Sequence, residues 1–306
     1  MAKRIASATA RYGVLAAAQI AVGAAAVFAR FALGGAGALA VSAGRLTIAA
    51  AILLVWSALR HAECDEGKAR ARPVVFAAAG IALAAHFAAW IWSLEYTTVA
   101  ISTLLVATTP VWTALYDAAF AKQRLSPLAC GAIVAGAAGV YLIAGSNRLQ
   151  PQTPVPGHPL LGALLALAGA IAIAAYFIIV RTVRDAYGTR AIVTRTYTWA
   201  AVFLIAAAAL AHQAPPPPAN TAAWAGIVAM ALISQLLGHT ALNAALRWFS
   251  ASAVAISTLV EPIVAALLAL AIFAESLSAP ALAGGLLVLA AIGAFLREEG
   301  RAAPQG

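Results

Sequence analysis

The sequence predicts an all-α polytopic membrane protein, with ten transmembrane helices arranged as two inverted five-helix repeats. Three observations carry that prediction. Of 306 residues, 64% are apolar and 9% charged, and the mean hydropathy is +0.93. A soluble domain is about 45–50% apolar and roughly a quarter charged. So few charges cannot cover a water-exposed surface, and so much apolar surface does not stay disordered. The second observation is a series of ten apolar runs, each bounded by charges, prolines or glycines. The third is a match between the two halves at a spacing of about 150 residues.

The ten runs fall at 11–30, 38–59, 74–95, 98–120, 127–144, 160–181, 190–211, 221–246, 252–273 and 280–296. At 1.5 Å per residue these lengths suit a hydrocarbon layer of ~30 Å. No series of ten-residue alternating segments suggests a β-barrel. The connections near 96–97 and 274–279 are the shortest. Lys3, Arg4 and Arg11 ahead of a small-residue apolar stretch superficially fit a secretory leader. The length of that stretch and its place in the repeat make it the first span instead.

Basic residues give the expected orientation. With the N-terminus inside, the inner segments hold fifteen of the nineteen Lys and Arg, from Lys3 and Arg4 to Arg297 and Arg301. Arg30 and Arg148 fall outside, while Arg45 and Arg195 fall within spans. Such an excess marks cytoplasmic loops, so both termini are expected in the cytoplasm of a bacterial cell, with the chain in the inner membrane. The outer connections at 145–159 and 212–220 are proline-rich. The net charge of +9 is then a topology signal, and no nucleic-acid partner is expected. Cys64 lies in a polar loop and Cys130 in a span, which implies no disulfide framework.

The repeat pairs Arg30 with Arg181, Arg45 with Arg195, His86 with His239 and Pro110 with Pro262. It also pairs Leu125-Ser126 with Leu277-Ser278, and Pro127 with Pro280. Residues 1–148 form the first unit, 149–159 a Pro-rich periplasmic linker, 160–297 the second unit and 298–306 a cytoplasmic tail. Five spans per unit is an odd number, so the second unit must lie upside down relative to the first. Inverted repeats characterise secondary transporters whose solute site lies near the midplane between the halves.

The residues that carry the repeat also carry a resemblance. HFAAWIWSLEYTTVAISTLLVATTPVW (86–112) and GHTALNAALRWFSASAVAISTLVEPIVAALLALAIFAESLS (238–278) resemble the two repeats of EamA-type transporters of the drug/metabolite transporter superfamily. The shared features are a basic residue early in the second helix of each repeat, a proline in the fourth, and the acidic turn ESLS at 275–278. The first repeat departs from that turn, with Gln123 in KQRLS. The resemblance implies a ten-helix metabolite transporter, often an exporter. It names no substrate, since the superfamily spans amino acids, cations, nucleotide conjugates and vitamins.

Ionisable groups inside spans cost ~2.5–3.5 kcal/mol on insertion scales and usually serve function. Glu261 lies nine residues into the ninth span, ~14 Å along the helix axis, and Pro262 follows it. That places a carboxyl near the midplane beside a helix-disrupting proline. It is a candidate for solute binding and for proton coupling, against a structural reading in which an arginine pairs with it. Pro110 and Pro262 are candidate hinges. On span eight, Gln235, His239 and Asn243 recur every four residues; on span three, His86, Trp90 and Ser93 form a similar stripe. Lipid offers these groups no partners, so both stripes should face the bundle interior. Gln19, Trp112 and Tyr176 are further candidate cavity residues.

Arg45 and Arg195 are candidate charge sites or structural anchors. Long arginines can snorkel to the interface, or can bind a carboxylate or phosphate. Trp56, Trp92 and Trp248 look like interfacial belt residues. The small-residue runs GAIVAGAAGVY (131–141) and AGGLLVLAAIGAF (283–295) suit close helix packing, within the chain or across a dimer. Two His and one Glu on three helices lack metal-ligand spacing, so no metal or cofactor is expected. No phosphate-binding loop or nucleophile motif appears, and no enzyme activity is expected. The leading reading is a secondary transporter that moves a small organic metabolite, such as an amino acid or drug-like solute, by alternating access, with export as the expected direction. The alternatives are a proton-coupled importer or exchanger, an intramembrane enzyme using His86, His239 and Glu261, and a channel. Its expected partners are a small solute and the lipid bilayer.

Overall fold

The computed structural model describes residues 8–59, 73–121, 127–146, 158–184, 186–245, 260–276 and 278–302. Among the described residues, every regular element is helical. The first span is two helices, α1 (Ala8–Gly23) and α2 (Ala25–Leu33), followed by α3 (Ala38–Leu59) and α4 (Pro73–Ser93). The fourth span divides into α5 (Val99–Val106) and α6 (Thr109–Ala121), and α7 (Pro127–Ser146) completes the first half. The second half opens with α8 (Pro159–Arg181) and α9 (Thr189–Leu210). Its next span is α10 (Thr221–Ala229), a π-helical segment (Met230–His239) and α11 (Thr240–Ala245). Then come α12 (Val260–Phe273) and α13 (Ala279–Ala302).

Six helical stretches are long and apolar enough to cross a membrane: Arg11–Leu33, Ala38–Leu59, Pro73–Ser93, Pro159–Arg181, Thr189–Leu210 and Thr221–Ala245. The stretches Val99–Thr113, Val260–Phe273 and Ala279–Ala291 are apolar but shorter. Cys64, the loop carrying Gln123, the linker at 149–157, Trp248, and the start of the ninth span at 252–259 lie outside the described residues. The last helix runs on to Ala302, beyond the expected end near 296, because Arg297, Glu298, Glu299 and Arg301 are competent helix formers.

Local chemistry sets the helix ends. Thr98 caps α5 by accepting a hydrogen bond from the Ile101 N–H at 3.3 Å. Asn220 caps α10 through the Ala223 N–H at 3.1 Å, and Pro159 opens α8 where its missing N–H costs nothing. The fourth span breaks at Ala107–Thr108 because Pro110 cannot donate to the Val106 carbonyl. The Thr109 hydroxyl donates to that carbonyl instead, at 2.7 Å. A hydroxyl substituting for a missing amide lets a broken helix persist in an apolar setting.

The packing pattern exchanges the two halves. Helix α4 lies along α8, and α1 lies along the π segment; these are the same contact with the halves swapped. Likewise α5 and α6 pack on α8, while α12 packs on α1. The pairs α3 with α9, α5 with α12, and α7 with α13 join each span to its own repeat counterpart. The two small-residue runs meet in the last pair: Gly139 faces the Gly284 carbonyl and Val288. They are used inside the chain, which answers the packing half of that expectation. The main core runs between the halves, through Leu46, Phe87, Ile91, Tyr197 and Leu204.

One end of the bundle is tied by polar contacts. Arg30 Nη2 donates to the Thr97 carbonyl at 3.2 Å and to Glu275 Oε1 at 2.7 Å. Glu275 Oε2 accepts from the Val99 N–H at 2.9 Å. At the same end, Gln213 Oε1 accepts from the Leu39 and Ala40 N–H groups, at 2.9 and 3.3 Å. Gly162, near the start of α8, lies against Tyr96 and Thr97.

Candidate functional site

The centre of the molecule is built around Arg45. Its position in α3, between Gly44 and Leu46, directs it inward, and the side chain is fully buried. Nε donates to Gln235 Oε1 of the π segment at 2.9 Å. The guanidinium carbon sits 4.0 Å from the centroid of the Phe87 ring and 5.7 Å from that of Trp90. Buried cation–π contacts of this kind contribute roughly 2 kcal/mol or more. Among the described residues, neither Nη1 nor Nη2 has a hydrogen-bond partner. Arg45 therefore does not snorkel to the interface. Its guanidinium stays between the halves and leaves two donors unused.

The histidine stripes face this group. His86 Nδ1 donates to the Gly169 carbonyl of α8 at 2.9 Å. A carbonyl only accepts, so Nδ1 carries the proton and Nε2 is the free ring nitrogen of the neutral form. The His86 and Trp90 rings are parallel, with centroids 6.2 Å apart, and His86 leans on Phe87 at 4.7 Å. His239 meets the Phe87 ring edge-on at 5.7 Å. The charge of Arg45 also acts on His86, His239, Tyr197 and Glu261. No described carboxylate lies within 4.0 Å of Arg45, so Glu261 balances it only at longer range.

Other candidates sit differently. Gln19 and Tyr176 are buried, and Tyr176 neighbours Tyr197. Trp112 Nε1 donates to Thr108 Oγ1 one turn back, at 3.1 Å. Asn243 Nδ2 donates to the His239 carbonyl of its own helix, at 2.9 Å, so its amide N–H serves the backbone. Pro110 lies just after the α5–α6 break, and Pro262 is buried near the start of α12. Glu261 is half-buried. Arg195, the repeat counterpart of Arg45, packs on Phe76 at 5.0 Å and Tyr187 at 4.8 Å, and is half-buried. The two arginines correspond in sequence but not in surroundings.

The sequence reading passed over Phe87 and Tyr197. Phe87 is wholly buried and links Arg45, His86, Trp90 and His239. Its place next to His86 in the repeat motif was the available signal. Tyr197 is 1% exposed; a hydroxyl that deep in a span was the clue. Among the described residues, no group of His, Cys, Asp and Glu is arranged to hold a metal ion.

Comparison with known proteins agrees with this architecture. A solved crystal structure, titled only as that of a protein, superposes with a TM-score of 0.65 over 96% of this chain and 99% of its own, at 17% identity. At that identity the likeness concerns the fold alone. No protein of curated function matches the sequence. The EamA-like transporter family matches residues 11–145 and 160–297, once for each half. A polytopic, helical chain with that match in both halves belongs to the EamA-like transporter family.

Proposed function

We propose that this protein is a secondary transporter that carries a small organic metabolite across a bacterial inner membrane by alternating access, with export as the working direction. One observation carries the reading. The central polar cluster takes buried Arg45, His86 and Trp90 from the first half, and buried Gln235 with half-buried His239 from the second. A solute held there contacts both halves, so rocking one against the other exposes it alternately.

Contacts at the bundle end support the inverted arrangement of ten spans. Arg30, near the end of span one, bonds to Thr97, and Thr97 lies against Gly162, near the start of span six. Corresponding helices of the two repeats thus bring opposite ends to the same place. The basic residues favour cytoplasmic termini. The reading is tested with purified protein in liposomes, screened for uptake of amino acids, cations and nucleosides with and without a pH gradient. Saturable uptake of one class above protein-free liposomes is expected. Uptake of none, by protein that remains folded, overturns it.

A further inference from the structure

We propose that the transported solute is an organic carboxylate, anchored by Nη1 and Nη2 of Arg45 between the two halves. This rests on the transport reading above and adds the chemistry of the cargo.

The first argument is charge. Arg45 is fully buried, and removing a guanidinium from water costs several kcal/mol unless an anion and hydrogen-bond acceptors compensate. Gln235 Oε1 satisfies Nε alone, and the Phe87 ring face accounts for part of the charge. Glu261 stays beyond ion-pair distance. The two terminal nitrogens, which form the fork that matches a carboxylate, are left over.

The second argument is the sign of the surrounding unused groups. Trp90 Nε1 is also buried without a hydrogen-bond partner among the described residues. Because Arg45 only donates, Gln235 turns Oε1 towards it, which leaves Nε2 to the Tyr197 hydroxyl. The leftover nitrogens of Arg45 and Trp90 are donors, set beside two groups that can accept, the Tyr197 hydroxyl and His86 Nε2. The forked pair of terminal donors next to the Trp90 N–H is complementary to an oxygen-rich anion. The parallel rings of Trp90 and His86 suit an aromatic or otherwise planar body attached to the carboxylate.

Arg195 provides the internal control. It has the same place in the repeat, yet it is half-buried and rests on Phe76 and Tyr187.

The test uses the full chain in detergent micelles, with thermal stabilisation as the readout. The probes are benzoate and phenylalanine, their neutral counterparts benzamide and phenylalaninamide, inorganic phosphate, and choline. Stabilisation by a carboxylate, but not by its amide or by choline, is expected. Arg45→Lys keeps the charge without the fork and should weaken the response, and Arg45→Gln should lower the affinity on the order of tenfold to a hundredfold, the effect of one lost charge-assisted bond. Arg195→Gln should leave the response unchanged. If Arg45→Gln does not fold, the wild-type panel and Arg45→Lys still decide. Stabilisation by phosphate alone, by choline, or equally by carboxylate and amide overturns the proposal. So does a panel in which no carboxylate stabilises at millimolar concentration. Liposomes that transport cations or nucleosides would keep the transporter reading and remove this one; liposomes that transport nothing remove the other.

Discussion

Thr109 and Glu261 occupy the same place in the two repeats, each directly before a proline. Thr109 gives its hydroxyl to the carbonyl that Pro110 leaves unbonded, whereas an ionised carboxylate has no proton to give. Glu261 instead lies within electrostatic reach of Arg45. If its protonation biases one facing state, Glu261→Gln, which is locked neutral, should retain solute exchange in liposomes and lose the response to an imposed pH gradient. An unchanged gradient response removes Glu261 from coupling, and loss of folded protein assigns it to balancing Arg45. At Trp90 the informative change is to Phe. Trp90→Ala would open a core cavity at a cost of about 3–5 kcal/mol, because the ring is 4% exposed. Trp90→Phe keeps a ring against His86 and removes Nε1. It should slow transport about threefold to tenfold, the effect of one lost hydrogen bond, at unchanged folded yield. A wild-type initial rate would show that the indole N–H does not bind solute.

Among the elements, the α7–α13 pair depends on the absence of side chains. A Cβ built on Gly139 would stand 2.7 Å from the Gly284 carbonyl oxygen and 2.8 Å from Val288 Cγ2, whereas one on Gly131 meets nothing within 4 Å. Gly139→Ala should therefore destabilise the protein by about 1–3 kcal/mol, as overpacking does, whereas Gly131→Ala should stabilise it by about 0.5–1 kcal/mol through helix propensity. Thermal unfolding in detergent compares them, and equal midpoints would show that α7 and α13 part without cost. The π segment Met230–His239 is the other special element. At its end the Gln235 carbonyl accepts from both the backbone N–H and the hydroxyl of Thr240, the latter at 3.2 Å. Irregular helix at this depth is found next to functional groups, and here it carries Gln235 to Arg45.

At the scale of the whole molecule, the Arg30–Glu275 pair joins α2 to the turn after α12 and, through Val99 and Thr97, to the start of α5. Its counterpart in the other half would pair Arg181 with Gln123, which carries no charge. Opening at the Arg30 end must break an ion pair. Glu275→Gln keeps an acceptor for the Val99 N–H while removing the charge, so a Thr97→Cys reporter should react faster with an impermeant thiol reagent. An unchanged rate would show that this contact does not hold the end shut. The reporter requires a background without Cys64 and with exposed Cys130 also replaced. Orientation is checked separately with Cys64 as the sole cysteine, in a Cys130→Ser background. With the proposed cytoplasmic termini it should resist the impermeant reagent in intact cells and react once the membrane is opened; labelling in sealed cells reverses the topology.

Composition and apolar run length were enough to read the helical membrane class, because both depend only on the transfer of local segments from water to lipid, and the family was legible in the repeated motifs at 86–112 and 238–278. His86, Trp90, Gln235 and His239 were legible as inward-facing groups for the same reason: lipid offers a polar side chain nothing to bond. The break before Pro110 was visible in the missing amide. What tertiary structure decided is where equivalent residues end up. Arg45 and Arg195 are interchangeable in the repeat, but one lies buried on Phe87 with two unused donors and the other rests on Phe76 and Tyr187. Phe87 adjoins His86 in the motif and Tyr197 carries a hydroxyl deep in a span, but neither position alone says which groups its ring meets. Their roles arise from side chains that meet across the interface between halves, and contacts between residues 42 to 190 positions apart depend on how the helices pack, which no local pattern specifies.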